Sequence, residues 1–426
     1  MATSISGTAK PTGRVAFTYP SFTLYQIART LIVLATEMQS VAVGWQVYEI
    51  TNRPLDLGLV GLAQFLPGII FLPLSGHTAD RYHRSKILTV GYVGLTICSG
   101  LLLAIALCGA RSVYPIYAVI GLVGVARSFT GPASRAILPL LVPEEHFQNA
   151  FAWGATFFEI ATILGPAVGG LVYTIFRGPA GVYAIAMGCG VCGAAAMWRV
   201  KLAPRKKALE ILNWKTVFAG LHYIWREKLV LGSISLDLFA VLLGGAVALL
   251  PVYARDILKT GPWGLGLLRC APGVGAGIMA LLLAHRPLGR RAGMKMLWCV
   301  AGFGACTILF GVSHSLVLSL VALVFVGATD MVSVVVRGIL IQLRTPDEMR
   351  GRVNAVDMVF IGMSNELGAF ESGVTAAVFG TVPAVVLGGI GTLIVTALCA
   401  WMFPSLRNAD QLVETQPEGE GAAPLA

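Results

Sequence analysis

Twelve long apolar runs constrain this 426-residue chain more than any other feature. They lie at 22–50, 57–79, 87–109, 113–141, 147–176, 181–199, 229–254, 262–284, 293–312, 315–343, 351–379 and 381–403. A bilayer core of ~30 Å takes about 20 apolar residues wound as a helix, because hydrocarbon offers no partner to an open backbone N–H or C=O. Each run meets that length, and the longest are expected to tilt or to extend past the lipid. Composition agrees: 56% of the residues are hydrophobic and 12% charged, where a soluble domain carries about 25% charged residues. The expected fold class is an all-α membrane protein with twelve transmembrane helices, and a soluble enzyme is excluded.

The formal net charge of +10 would suggest nucleic acid on a soluble domain. The connections between runs divide the basic residues unequally, however. One side holds nineteen: Lys10, Arg14, Arg81, Arg84, Lys86, Arg199, Lys201, Arg205, Lys206, Lys207, Lys215, Arg286, Arg290, Arg291, Lys295, Arg344, Arg350, Arg352 and Arg407. The other holds five: Arg53, Arg111, Arg177, Arg255 and Lys259. Positive residues stay on the cytoplasmic side, so both termini are expected inside, in a cell inner membrane, and no nucleic-acid partner is expected. The stretch 1–21 is polar and does not read as a signal peptide. All eight cysteines fall in apolar runs; Cys189 and Cys192 form a CxxC without a second pair or a nearby His, so no metal is expected.

The polar break at 200–216 separates two sets of six runs. It leads into Trp214, Val217, Phe218, Leu221, Ile224 and Trp225 at helical spacing, with Lys215, His222 and Arg226 off that stripe, as expected of an amphipathic helix on the cytoplasmic leaflet. The organisation read from this is a tail at 1–21, a six-helix half at 22–199, a linker at 200–228, a second half at 229–403 and a tail at 404–426. The halves also repeat. Gly61-Leu-Ala-Gln-Phe-Leu-Pro-Gly68 matches Gly266-Leu-Leu-Arg-Cys-Ala-Pro-Gly273, Arg135-Ala-Ile-Leu matches Arg337-Gly-Ile-Leu, and Leu164-Gly-Pro matches Leu367-Gly-Ala at a near-constant offset. Two parallel repeats around a midplane cavity suit alternating access.

The connection after the second run reads Gly76-His-Thr-Ala-Asp80-Arg81-Tyr-His-Arg84. A carboxylate in a basic boundary loop, after a helix-packing Gly, reads as a latch in which Asp80 bonds Arg135 or a helix N-terminus near Gly351. This segment resembles the loop motif between helices 2 and 3 of the major facilitator superfamily. Ala161-Thr-Ile-Leu-Gly165-Pro166-Ala-Val-Gly169-Gly170 resembles its helix 5 antiporter motif, with Ala161 in place of the usual first Gly. A narrower resemblance, over roughly 22–405, is to the branch containing bacterial enterobactin exporters and related drug-efflux proteins. It is carried by Val41-Ala-Val-Gly-Trp45-Gln-Val-Tyr48-Glu-Ile-Thr51, Leu57-Gly-Leu-Val-Gly61 and Thr345-Pro-Asp-Glu-Met-Arg350-Gly351-Arg352-Val353. The chain departs from that branch at Glu37, where Asp is frequent, and at Glu366 and Glu371, in a region that is usually apolar.

A charge at the bilayer centre costs at least ~2.5 kcal/mol, so each one marks a functional candidate. Glu37, Arg127, Glu159, Asp330 and Glu366 fall near mid-depth of their runs, with Asp237, Arg269 and Glu371 nearer the ends. The resemblance implies that helices 1, 4, 7 and 10 line a cavity, which would gather Glu37, Arg127, Asp237 and Asp330. The expected coupling group is therefore Glu37 or Asp330 as proton carrier with Arg127 as countercharge; the plainer alternative is a static pair that locks packing. Gln39, Trp45, Gln46, Glu366 and Glu371 are the candidate cavity residues. No GxxxxGK[ST] loop is present, so the drive is expected to be an ion gradient without a bound cofactor. The expected function is export of an amphipathic small molecule, siderophore or drug-like, by a monomer through proton antiport. The alternative is a lysophospholipid transporter of the same fold.

Overall fold

Each of the twelve apolar runs contains a helix in the structure, a computed structural model that describes residues 13–71, 74, 75, 78, 82–109, 111–202, 214–286 and 291–408. The first six are α1 (Pro20–Thr51), α2 (Pro54–Ile70), α3 (Arg84–Leu107), α4 (Tyr114–Ile137), α5 (Phe147–Ile175) and α6 (Pro179–Trp198). After α7 (Trp214–Arg226) come α8 (Lys228–Gly244), α9 (Gly261–His285), α10 (Ala292–Val312), α11 (Leu316–Arg344), α12 (Asp347–Phe379) and α13 (Thr381–Met402). No strand occurs among the described residues. Ten of their helical spans are long and apolar enough to cross a bilayer. Of the other two runs, α2 is shorter, and α12 carries Arg350, Arg352, Asp357, Glu366 and Glu371 along its length.

Local chemistry sets the ends. Pro20, Pro54 and Pro179 open α1, α2 and α6, where a missing N–H costs nothing. Asn52 closes α1 in the left-handed region at φ 52°, and only Arg53 separates it from the next helix. Gly380, at φ 90°, makes the corner between α12 and α13. The seventh run is expected as a single helix, but α8 ends at Gly244. It gives way to a 3-10 turn at Ala246–Leu249 and a π turn at Tyr253–Ile257. Adjacent Gly244 and Gly245 weaken the helix, and Pro251 can donate no backbone hydrogen bond. Ser372 donates to the Gly245 carbonyl at 3.1 Å, supplying a partner at the break.

The chain forms two compact units, one of 1–213 with 247–273 and the other of 214–246 with 274–426. In the first, α1 packs on α5 and α6, α3 on α4 and α6, and α2 on α4. In the second, α8 packs on α12 and α13, and α10 on α11 and α13. Four of the five pairings of the first unit recur in the second at corresponding helices of the internal repeat. The likeness extends to the closest approaches: a Cβ at Gly124 of α4 would collide with the Gln64 carbonyl of α2, and one at Gly275 of α9 with the Val324 carbonyl of α11. Small residues at such crossings matter because lipid tails are as apolar as leucine, so helices associate through close van der Waals contact.

The amphipathic helix α7 is present. Its fully buried Ile224 packs with Val230, Ile234, Ile341, Val353 and Val356, while Trp225 stays exposed. Tyr223 donates to the Arg344 carbonyl. Burial and the nearby Glu227 carboxylate raise the Tyr223 phenol above its ordinary range. At least part of the apolar stripe expected on the leaflet therefore packs inside the second unit; the Trp214, Val217 and Phe218 side chains lie outside the described residues.

Candidate functional site

In the second unit, α11 carries Asp330, Ser333 and Arg337 at positions three and seven apart, hence on one helix face. Arg337 is buried and ion-paired with Asp237 of α8, itself buried. On its other side, Arg337 Nε lies 3.4 Å from Asp357 Oδ1 of α12. Ser333 Oγ donates to Asp237 Oδ1 at 3.3 Å. Asp330 is half-buried one turn along α11 and interacts electrostatically with both Asp237 and Arg337. Three helices thus hold three carboxylates around one guanidinium. Arg337 can balance one negative charge fully, leaving the rest to protons or to a positively charged group.

The first unit holds a different arrangement. Glu37 is half-buried on α1, and its side-chain stem lies directly over Gly165 of α5. One turn farther along α5, a Cβ at Gly169 would stand 2.8 Å from the Met38 backbone, and one at Gly170 3.0 Å from the Gly266 backbone. The antiporter-type run, with Pro166 buried among its glycines, therefore seats α1 on one side and the start of α9 on the other. Arg269 donates to Ser40, one turn from Glu37. At the Thr51 end of α1, Tyr48 donates to Asp256, Arg255 donates to the Tyr48 carbonyl at 3.1 Å, and the Arg255 guanidinium lies 5.5 Å from the Tyr48 ring centre. The segment that follows the break in α8 is thereby fastened to α1.

Several expected site residues have other surroundings. Gln39 donates to Ser99 of α3 at 2.8 Å, Gln46 accepts from Tyr183 of α6 at 2.8 Å, and Trp45 meets Tyr173 of α5 edge-to-face at 6.4 Å. Each of the three thus makes a contact to a neighbouring helix of the first unit. Arg127 is exposed on α4, with no side-chain ion pair or hydrogen bond among the described residues of its unit. In the second unit the countercharge to Asp237 is Arg337. Glu371 accepts from Thr375 one turn along α12 at 2.6 Å, and Glu366 is half-buried on the same helix. Glu159 is half-buried on α5. Arg84 donates to the Ala136 carbonyl at 2.9 Å, tying the start of α3 to the end of α4, and Arg135 is exposed beside it. Gly76, Asp80 and Arg81 of the expected latch lie outside the described residues.

Two members of the cluster escape a reading of single runs. Asp357 falls near the charged start of its run and looks like a boundary residue. Arg337 looks like one side of a repeat match. The signal that would have found Arg337 is its spacing of seven from Asp330, which puts both on one face of a helix.

A family model described as transmembrane secretion effector matches residues 14–420. The enterobactin exporter EntS of Escherichia coli (strain K12) is 26% identical over 406 residues, covering 92% of this chain and 94% of that protein. The enterobactin exporter EntS of Shigella boydii serotype 4 (strain Sb227) is also 26% identical, over 405 residues, with the same coverage of each. Among solved structures, a bacterial homolog to the human lysosomal transporter Spinster aligns with a TM-score of 0.72 at 13% identity, over 94% of this chain and 99% of that one. A D-xylose-proton symporter aligns with a TM-score of 0.67 at 15% identity, over 91% of this chain and 98% of that one. These structural likenesses establish the fold.

Proposed function

Since the chain belongs to the transmembrane secretion effector family of major facilitator transporters, we propose that it exports an amphipathic small molecule, siderophore or drug-like, in exchange for protons. The observation that carries this reading is the group of three carboxylates, Asp237, Asp330 and Asp357, around Arg337. With Asp330 ionised, it competes with Asp237 for the guanidinium. With Asp330 protonated, the Asp237–Arg337 pair stands uncontested. One proton thus switches the contact between α8 and α11, a two-state element of the kind that alternating access needs. Glu37, packed over Gly165 at the α1–α5 crossing, is a second carboxylate that a proton can neutralise in the other repeat. The enterobactin exporters among its relatives support export as the direction. The distribution of basic residues supports an inner-membrane protein with both termini cytoplasmic. We take the working unit to be a monomer that binds no cofactor.

The test is transport in proteoliposomes containing the full chain, with siderophores, drugs and lysophospholipids offered with and without an imposed pH gradient. A gradient-driven flux of one of the first two classes that disappears in Asp330→Asn fits the proposal. Gradient-driven flux that persists in both Asp330→Asn and Glu37→Gln overturns the assignment of the coupling acids. Lysophospholipid movement that ignores the gradient overturns proton-coupled export in favour of lipid transport.

A further inference from the structure

A cavity of about 680 Å³ lies in the first unit, away from the carboxylate cluster and from the Glu37 crossing. The glycines of α3 are the reason it exists. A Cβ at Gly91 would collide with Thr130, so α3 is drawn onto α4 at that level. Gly94, facing Ala126 at 3.9 Å, then leaves a trough with no side chain to fill it. The trough is open along its length: Val90 is 72% and Ile97 58% exposed. From Lys86 to Cys98 its wall runs along thirteen residues of α3, about 18 Å at the helical rise. That is close to one leaflet of a ~30 Å hydrocarbon core.

The polar groups of the lining gather at one end. Lys86 and Tyr82 are both exposed there, and neither side chain has a hydrogen bond or ion pair among the described residues. Thr78, beside them, spends its hydroxyl proton on the Leu74 carbonyl at 2.7 Å. The other end is walled by apolar side chains such as Ile97 and Leu122. A slot of this form suits neither water, which finds no partners along its walls, nor a uniformly apolar chain, which leaves the ammonium unmatched.

We propose that this groove is a binding site for one anionic glycerophospholipid of the surrounding leaflet. An acyl chain lies along the Gly91–Gly94 trough, and the phosphate meets the Lys86 ammonium and the Tyr82 hydroxyl. The occupant follows from charge complementarity at the mouth and from the match between groove length and one leaflet. The site is independent of which molecule the protein transports.

The test is native mass spectrometry of the purified full-length chain in detergent, titrated with phosphatidylglycerol or with phosphatidylcholine of the same acyl chains. One lysine at headgroup level favours the anionic lipid by about fivefold, so the first bound phosphatidylglycerol should be retained about five times better than phosphatidylcholine. Lys86→Gln should bring the two lipids to parity. Gly94→Phe, which fills the trough, should abolish the first binding step for both. If Gly94→Phe does not fold, the surface change at Lys86 still decides. Equal retention of the two lipids by the unaltered protein overturns the proposal, as does a phosphatidylglycerol preference that survives Lys86→Gln. A dimer that forms through the groove and is lost in Gly94→Phe overturns it too.

Discussion

Arg337 of α11 forms a buried ion pair with Asp237 of α8, one hundred residues earlier in the chain. Neither group can be removed alone without leaving the other's charge in a place that water does not reach. Truncating one partner of a buried pair costs about 3–5 kcal/mol, and replacing both by neutral groups costs far less. Arg337→Gln and Asp237→Asn should each lower the unfolding midpoint in detergent, and the double variant should be more stable than either. A double variant whose loss equals the sum of the two single losses would show that the residues do not interact.

Two arginines on corresponding helices of the repeat, α4 and α11, should behave differently. Arg127 is exposed and has no side-chain ion pair or hydrogen bond among the described residues of its unit, whereas Arg337 holds the carboxylate cluster. Arg127→Gln should leave the response of transport to an imposed pH gradient intact, and Arg337→Gln should remove it even at permissive temperature. Flux measured in proteoliposomes at several external pH values separates the two.

The α1–α5 crossing depends on the absence of a side chain. A Cβ at Gly169 would sit 2.8 Å from both the Met38 Cα and its carbonyl oxygen, atoms that cannot rotate away, while Gly188 on α6 faces open space. Overpacking of this kind costs about 1–3 kcal/mol. Gly169→Val should therefore lower the thermal midpoint or the yield of folded protein, and Gly188→Ala should match the unaltered chain. Equal midpoints for the two variants would rule out a tight crossing at Gly169.

The segment after the break in α8 is held to α1 by the Tyr48–Asp256 hydrogen bond and by Arg255. Asp256 is exposed, so the bond is worth about 1 kcal/mol in water-accessible surroundings. Tyr48→Phe should speed amide exchange across Ala246–Ile257 about fivefold while leaving α11 unchanged. Exchange read by mass spectrometry on peptides from the two regions provides the comparison.

The twelve helices could be read from the residues because a bilayer imposes a one-dimensional rule: a crossing segment must be apolar over a contiguous length. The same rule singled out Asp237 and Asp330, since any charge within such a segment is costly. The Gly165–Gly170 run was likewise readable as a place where backbones meet. Depth along a helix can be counted from its ends, but rotation about the helix axis cannot, because packing against neighbours sets it. That is why Gln39, Trp45 and Gln46 point to internal partners, and why Arg337, rather than Arg127, stands opposite Asp237. Asp357 joins the cluster only because α12 packs on α8, which brings together residues 120 positions apart. Apolar length is written along the chain; the company each charge keeps is settled by how helices turn their faces toward one another.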